Sequence, residues 1–154
     1  MMQRNTQKPL YLLDANVLIA LRWDQHVHHA AALKWFSSRK GQGWASCAMT
    51  EAAFVRVISQ PAFSGNGVTP AMVCELLARS KNDGDHHFLN LDFGMDVVQN
   101  ACTGGLYGHR QITDAWLLTT AIRYDIKLVT FDAGIPALLA SQTERDTFVL
   151  LLKP

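Results

Sequence analysis

The sequence predicts an α/β fold in which a mainly parallel sheet carries helices on both faces. Apolar runs of strand length alternate along the chain with longer segments of helical spacing, an order typical of β-α-β units. Parallel strands need such crossover connections. With 154 residues, of which 49% are hydrophobic, the chain has the size of one globular domain. We therefore expect a single three-layer α/β/α domain over residues 1–154.

The first half of the chain begins with a predicted strand, LYLL, at residues 10–13. Thr69 and Pro70 are a start signal for a later helix, because threonine is a good N-cap and proline is favoured at the first helical position. In order, the remaining elements of this half are a helix at 27–40, a strand at 43–47, a helix at 49–59 and a helix at 71–80.

The second half repeats the alternation. Thr113 is the predicted N-cap of a helix that ends at residue 125, and two glycines, at 104 and 105, are expected to end the helix before it. In order, the elements are a strand at 86–91, a helix at 95–102, a helix at 113–125, a strand at 127–131 and a strand at 147–152.

Charge and cysteine content narrow the class of protein. The formal net charge is only +1, so composition neither supports nor excludes a nucleic-acid partner, and any contact would need a local basic patch. Three cysteines without a CxxC pair favour reduced thiols in a cytoplasmic protein. The polar start and the short first apolar run predict neither a signal peptide nor a membrane span.

Four acidic residues are predicted to meet at one edge of the sheet. Asp14 and Asp132 each follow a predicted strand, and the functional crevice of an open parallel sheet lies beyond the carboxyl ends of its strands. Glu51 and Asp114 each lie in the first turn of a helix, where the partial positive charge tolerates anions. Taken singly, each of these two is better explained by ordinary helix capping, and Asp14 has the alternative of a buried, hydrogen-bonded aspartate.

Such a cluster predicts a metal site. Neighbouring carboxylates raise one another's pKa and stay ionised only where cations neutralise them. Mg²⁺ and Mn²⁺ prefer oxygen ligands, and a carboxylate-held ion suits phosphodiester hydrolysis because it activates water and stabilises the developing charge. Asn16 and Thr130, each two residues from a predicted cluster aspartate, are candidates for hydrogen bonds that orient a carboxylate. Turn chemistry is the alternative for both.

Four segments together resemble a known family: LLDANVLIAL, MTEAAFVRVIS, GHRQITDAWLLTTAI and LVTFDAGI. They are similar to the four acidic motifs of PIN-domain ribonucleases, and more closely to those of the VapC-type toxins of bacterial toxin–antitoxin pairs. The resemblance covers residues 10–135. It implies a PIN-like fold and a Mg²⁺- or Mn²⁺-dependent endoribonuclease that cleaves structured RNA in single-stranded regions. Its metal-binding catalytic quartet would be Asp14, Glu51, Asp114 and Asp132.

The resemblance also implies partners and substrate contacts. A VapC-like chain would form a homodimer, and a small VapB-like antitoxin would cover its cleft. The segment GHRQIT makes His109 and Arg110 candidates for contacting RNA or orienting the site, with a solvated loop as the alternative. Arg56 is expected to reach phosphate or to pair with an acid of the cluster. The four tryptophans, at 23, 35, 44 and 116, are expected in the core or in a subunit interface.

Alternatives from other classes remain open at this level. A PIN nuclease outside toxin–antitoxin systems would process RNA or DNA without arresting growth when expressed alone. A non-catalytic PIN module would bind RNA or a protein and would keep its partner after replacement of Asp114, but the complete quartet argues against it. The HVHH group at 26–29 lacks obvious partners for zinc. A phosphatase of the haloacid-dehalogenase type needs a DxD pair, which the DAN at 14–16 lacks.

Overall fold

A five-stranded sheet organises the computed structural model, which describes residues 11–39, 41–82 and 84–154. The strand order is β3-β2-β1-β4-β5, and every neighbouring pair is parallel, which confirms the predicted parallel sheet. The strands are β1 (Tyr11–Leu13), β2 (Trp44–Cys47), β3 (His86–Leu89), β4 (Lys127–Thr130) and β5 (Val149–Leu151).

Eight α-helices connect and flank these strands within the described residues. Two 3-10 helices are also present: His109–Gln111, and Ile135–Leu138 shortly after β4. The α-helices are α1 (Ala15–Arg22), α2 (His29–Ser38), α3 (Ala48–Ile58), α4 (Pro61–Ser64), α5 (Pro70–Asn82), α6 (Met95–Ala101), α7 (Ile112–Tyr124) and α8 (Gln142–Phe148). None of them is long and apolar enough to cross a bilayer.

The two faces of the sheet are covered by two separate hydrophobic cores. Leu12 and Leu128 point into one core, against α6, α7 and α8. Leu13 and Val129, their chain neighbours, point into the other, against α1, α2, α3 and α5. Because both faces are buried, the central strands are apolar at successive positions instead of alternating with polar residues. The molecule therefore has the three layers, α/β/α, that the sequence predicts.

The predicted elements all occur within the described residues, with shifted ends. The helix expected at 27–40 begins at His29, and the strand expected at 147–152 begins only at Val149, because α8 occupies the residues before it. The structure confirms the start of α5, where the Thr69 hydroxyl oxygen accepts the Met72 N–H at 3.3 Å. Residues 10 and 40, the ends of two predicted elements, lie outside the described residues.

The predicted N-cap role of Thr113 is wrong. Helix α7 begins one residue earlier, at Ile112, and Gln111 is its N-cap residue. The 3-10 helix His109–Gln111 runs directly into α7, so the backbone is already helical when it reaches Thr113. Asp114 still lies in the first turn of α7, as expected.

Candidate active site

The site lies where the order of the strands reverses. From β1 the chain moves outward to β2 and β3, and then returns to the other side of β1 to form β4 and β5. Ligands of open α/β sheets bind in the crevice at such a switch point, beyond the carboxyl ends of the strands. Asp14 directly follows β1, and its backbone N–H donates to the Val129 carbonyl of β4 at 2.9 Å. Asp132 follows β4 itself.

Three aspartates come together at this crevice. Asp114, from the first turn of α7, lies close enough to Asp14 and Asp132 for the negative charges of both to act on it. Partial burial, followed by these two negative neighbours, raises the pKa of Asp114 to about 6. Burial likewise raises the pKa of Asp14, which is 7% exposed. The described residues offer none of these aspartates an ion-pair partner, so the negative charge of the cluster is uncompensated.

Thr130 and Asn16 fix the position of the Asp14 carboxylate. The buried Thr130 hydroxyl donates to Asp14 Oδ2 at 2.7 Å and accepts the Asp132 N–H at 2.9 Å. Asn16 donates to the same hydroxyl at 3.4 Å and accepts the Phe131 N–H at 3.3 Å. The one proton and both lone pairs of the Thr130 hydroxyl are thus used. Asn16 therefore acts on the carboxylate through Thr130.

Glu51 is not part of this group of charges in the structure. Its Oε1 atom is 2.8 Å from Lys81 Nζ and accepts the Ser46 hydroxyl at 2.6 Å. The Ser46 Oγ atom is also 2.7 Å from His86 Nε2. Across the described residues, no three acidic, histidine or cysteine side chains are arranged closely enough to enclose a metal ion. The role of Glu51 as a fourth ligand stays a prediction.

The chemistry of the three aspartates fits a hard divalent cation. Carboxylate oxygens are the ligands that Mg²⁺ and Mn²⁺ prefer, and a cation between these groups would relieve the repulsion that raises the pKa of Asp114. Asp132 is already oriented, since its Oδ1 atom accepts the Gly134 N–H at 2.8 Å.

The predicted basic residues lie at the surface. His109 and Arg110 are exposed in the 3-10 helix that precedes α7. Gln111 holds this segment in place, because its Oε1 atom accepts the N–H groups of Tyr107 and Gly108 at 2.7 and 3.0 Å. Arg56 is exposed on α3 and forms no ion pair with any acid in the described ranges. The expected pairing of Arg56 with an acid of the cluster is therefore wrong.

Aromatic residues near the crevice include one contact that the sequence did not indicate. His28 stacks on Phe131 with 4.8 Å between ring centroids. Phe131 lies between Thr130 and Asp132 in the chain, so the α1–α2 loop packs against the segment that carries Asp132. Trp44 is buried in the core, as predicted, whereas Trp23, Trp35 and Trp116 are only partly buried. A contact between two distant loops leaves no local signal in the sequence.

Comparison with known proteins identifies the family. Residues 11–138 match the sequence model of the PIN domain. The chain is 41% identical over 143 residues to Ribonuclease VapC38 of Mycobacterium tuberculosis, an alignment that covers 91% of this chain and 96% of that protein. Ribonuclease VapC39 of the same species is 41% identical over 124 residues, which is 80% of this chain and 89% of VapC39.

A solved structure shares the fold. It is the crystal structure of VapBC2 from Rickettsia felis bound to a DNA fragment from their promoter. One of its chains aligns with a TM-score of 0.61 at 11% sequence identity, covering 93% of this chain and 98% of that one. The chain therefore belongs to the PIN-domain family and, within it, to the VapC ribonucleases, which confirms the resemblance seen in the four motifs.

Proposed function

We propose that this protein is the ribonuclease toxin of a VapBC-type toxin–antitoxin pair and hydrolyses phosphodiester bonds in structured RNA with the help of Mg²⁺ or Mn²⁺. The observation that carries the proposal is the convergence of Asp14, Asp114 and Asp132, without an internal counter-cation, at the switch point of the sheet. A stable fold gains nothing from three unneutralised carboxylates, because they repel one another. A function that needs a cation explains their arrangement.

In this mechanism Asp14, Asp114 and Asp132 would hold the ion, and Glu51 is the fourth acid that follows the neighbouring strand. When bound, the ion supplies charge to stabilise the transition state and lowers the pKa of the attacking water. Thr130 keeps the Asp14 carboxylate pointed at the crevice, since its hydroxyl donates to Oδ2.

Substrate and partners follow from the surroundings of the crevice and from the relatives. The exposed His109, Arg110 and Arg56 would contact the RNA backbone, since cationic side chains supply most of the affinity for phosphates. The relatives are named ribonucleases, and the Rickettsia felis structure contains a VapBC complex. The name of that complex supports a VapB-like antitoxin as a partner. We extend the proposal to an antitoxin that blocks the crevice, a homodimeric toxin and a cytoplasmic location.

Cleavage of purified structured RNAs tests the proposal. The wild-type protein should make discrete cuts with Mn²⁺ or Mg²⁺, and EDTA should abolish them. Asp114→Asn should also abolish them, because asparagine keeps the shape of the side chain but loses its charge. Asp146→Asn, a change of the same kind at an exposed position of α8, is the matched control and should cut like wild type. Intact RNA throughout, from folded wild-type protein with metal, would contradict the proposed activity.

Expression in a bacterial host separates a toxin from a nuclease of RNA processing. The toxin should arrest growth when it is expressed without an antitoxin, and the Asp114→Asn variant at the same level should not. Normal growth with wild-type protein that still cuts RNA in vitro would instead favour the processing nuclease.

A further inference from the structure

Glu51 is the one acid of the predicted quartet that already has a cation. Lys81, near the end of α5, approaches Oε1 of Glu51 to 2.8 Å. Both side chains are largely shielded from water, with 20% of the Glu51 side chain and 29% of the Lys81 side chain exposed. An ion pair at this depth is screened much less than one on the open surface. The pair therefore holds the Glu51 charge in a fixed place.

A hydrogen-bond chain beneath the ion pair makes this position rigid. Ser46 has a single hydroxyl proton, and the 2.6 Å contact with Glu51 requires that proton, since an ionised carboxylate only accepts. His86 must then donate from Nε2 to Ser46 Oγ across 2.7 Å, which fixes its tautomer. The His86 ring in turn packs edge-on against the buried Trp44, 4.4 Å between ring centroids. Glu51 is thus held from two sides, by Lys81 and by the sheet.

The four acids therefore differ in how far their charge is neutralised. Glu51 is paired with Lys81, whereas none of the three aspartates has an ion-pair partner among the described residues. Burial is the largest cause of the raised pKa of Asp14 and of Asp114. The charge of Asp132 adds to the first shift and the charges of Asp14 and Asp132 add to the second, whereas Glu51 is not a cause of either. Glu51 and Lys81 together are neutral, so they add little attraction for a second divalent ion.

Building on the function proposed above, we infer that Lys81 is a positioning residue that neutralises Glu51 and limits the site to the ion held by the three aspartates. While Lys81 is paired with it, Glu51 does not bind metal directly. The ammonium group also opposes the arrival of a divalent cation nearby, because like charges repel across the protein interior.

Calorimetric titration of the purified protein with Mn²⁺ tests this inference without depending on catalysis. Lys81→Met keeps the length of the side chain but removes its charge, so it frees Glu51. We expect this variant to bind Mn²⁺ on the order of tenfold more tightly than wild type. Lys81→Arg keeps the charge and should bind like wild type. Lys34→Met, on the exposed face of α2, makes the same change of net charge and should also leave the affinity unchanged.

A second substitution shows whether the tighter Mn²⁺ binding of Lys81→Met depends on Glu51. Glu51→Gln added to Lys81→Met should cancel the tighter binding. An affinity of Lys81→Met within twofold of wild type, or a gain that survives Glu51→Gln, would overturn the inference. Circular dichroism establishes that each variant is folded, and Lys81→Gln takes the place of Lys81→Met should the latter not fold.

The same experiments distinguish failure of the proposed function from failure of the inference about Lys81. A folded wild-type protein that binds no Mn²⁺ and cuts no RNA would refute the proposed metal-dependent nuclease. The claim that Lys81 keeps Glu51 from binding metal would still be supported in that case if Lys81→Met gained Mn²⁺ binding that Glu51→Gln removed. It would be refuted if neither Lys81→Met nor the double variant bound the ion.

Discussion

At the scale of single residues, the candidate site depends on the hydroxyl group of Thr130. This side chain is fully buried and joins Asp14, the Asp132 backbone and Asn16 through one oxygen atom. Removal of the hydroxyl leaves the Asp14 carboxylate without its side-chain donor and the Asp132 backbone N–H without its acceptor. Unmade buried hydrogen bonds cost more than the made ones contribute.

Thr130→Val, which preserves shape, is therefore expected to lower the free energy of unfolding by about 1–3 kcal/mol. It should also weaken RNA cleavage, since Asp14 loses the contact that orients it. Urea denaturation in EDTA measures the first effect. Thr120→Val is the control, because the equally buried Thr120 hydroxyl donates only to the Trp116 carbonyl within α7. Equal losses of unfolding free energy in the two variants would show that the Thr130 hydroxyl stabilises the fold no more than an ordinary buried threonine hydroxyl.

Residue by residue, the sequence indicates which acids lie at strand ends but not what each one contacts. Asp14 and Asp132 meet at the crevice because position after a parallel strand determines location. The pairing of Glu51 with Lys81 was not predictable in this way. Lys81 lies on a different helix, and the reach of its long side chain depends on how α3 and α5 pack.

At the scale of secondary-structure elements, helices with one apolar and one polar face were predictable. Helices that are apolar or polar on all sides were not. Helix α1 was missed because its residues from Val17 to Leu21 are all buried, which leaves no polar face to reveal a helical period. Helix α8 is the opposite case, a short polar helix with no buried residue. Its capping box, Ser141 with Glu144, was the available signal.

The two threonines predicted as N-caps give a test at this scale. Thr69→Ala should destabilise the protein by about 1 kcal/mol, since the Met72 N–H loses its acceptor. Thr113→Ala should change stability by less than about 0.5 kcal/mol, because this exposed residue lies inside the first turn of α7 and caps nothing. Thermal or urea unfolding of the two variants measures the difference. A larger loss for Thr113→Ala would contradict the observed start of α7.

At the scale of the whole molecule, the acidic cluster makes stability depend on pH. Asp114 has a pKa of about 6 in the folded chain, above its ordinary value of 3.8. The folded state therefore binds this proton more tightly than the unfolded state, and without metal its stability should decrease as pH rises from about 4 to about 6. Below this window the carboxyl is protonated in both states, and above it the full loss is present.

Thermal unfolding in EDTA across pH 4–8 measures this dependence. Asp114→Asn should remove part of the decrease, so that the variant becomes more stable than wild type near pH 7. Other carboxyls affect the stability of both proteins equally, so their contributions cancel when the variant is compared with wild type. Glu144 is one of them, and hydrogen bonds from Ser141 and Thr103 lower its pKa. Mn²⁺ should restore stability to the wild type and not to the variant. Stability curves of wild type and Asp114→Asn that run parallel across this pH range would contradict the raised pKa of Asp114.

The overall architecture was the most predictable level, since the alternation of strands and helices leaves few ways to connect a parallel sheet. Which acids share one charged cluster depends on side-chain packing, and the sequence pattern contains little of that information.

The position of β1 between β2 and β4 also has a consequence for protein synthesis. Asp14 leaves the ribosome before β4 and Asp132 emerge, since more than a hundred residues separate the two aspartates in the chain. Until then one edge of β1 is unpaired, and the acidic cluster lacks a carboxylate. The site on which the proposed activity depends is therefore incomplete in the nascent chain, and the proposed cleavage of RNA would begin only after the sheet has closed on both sides of β1.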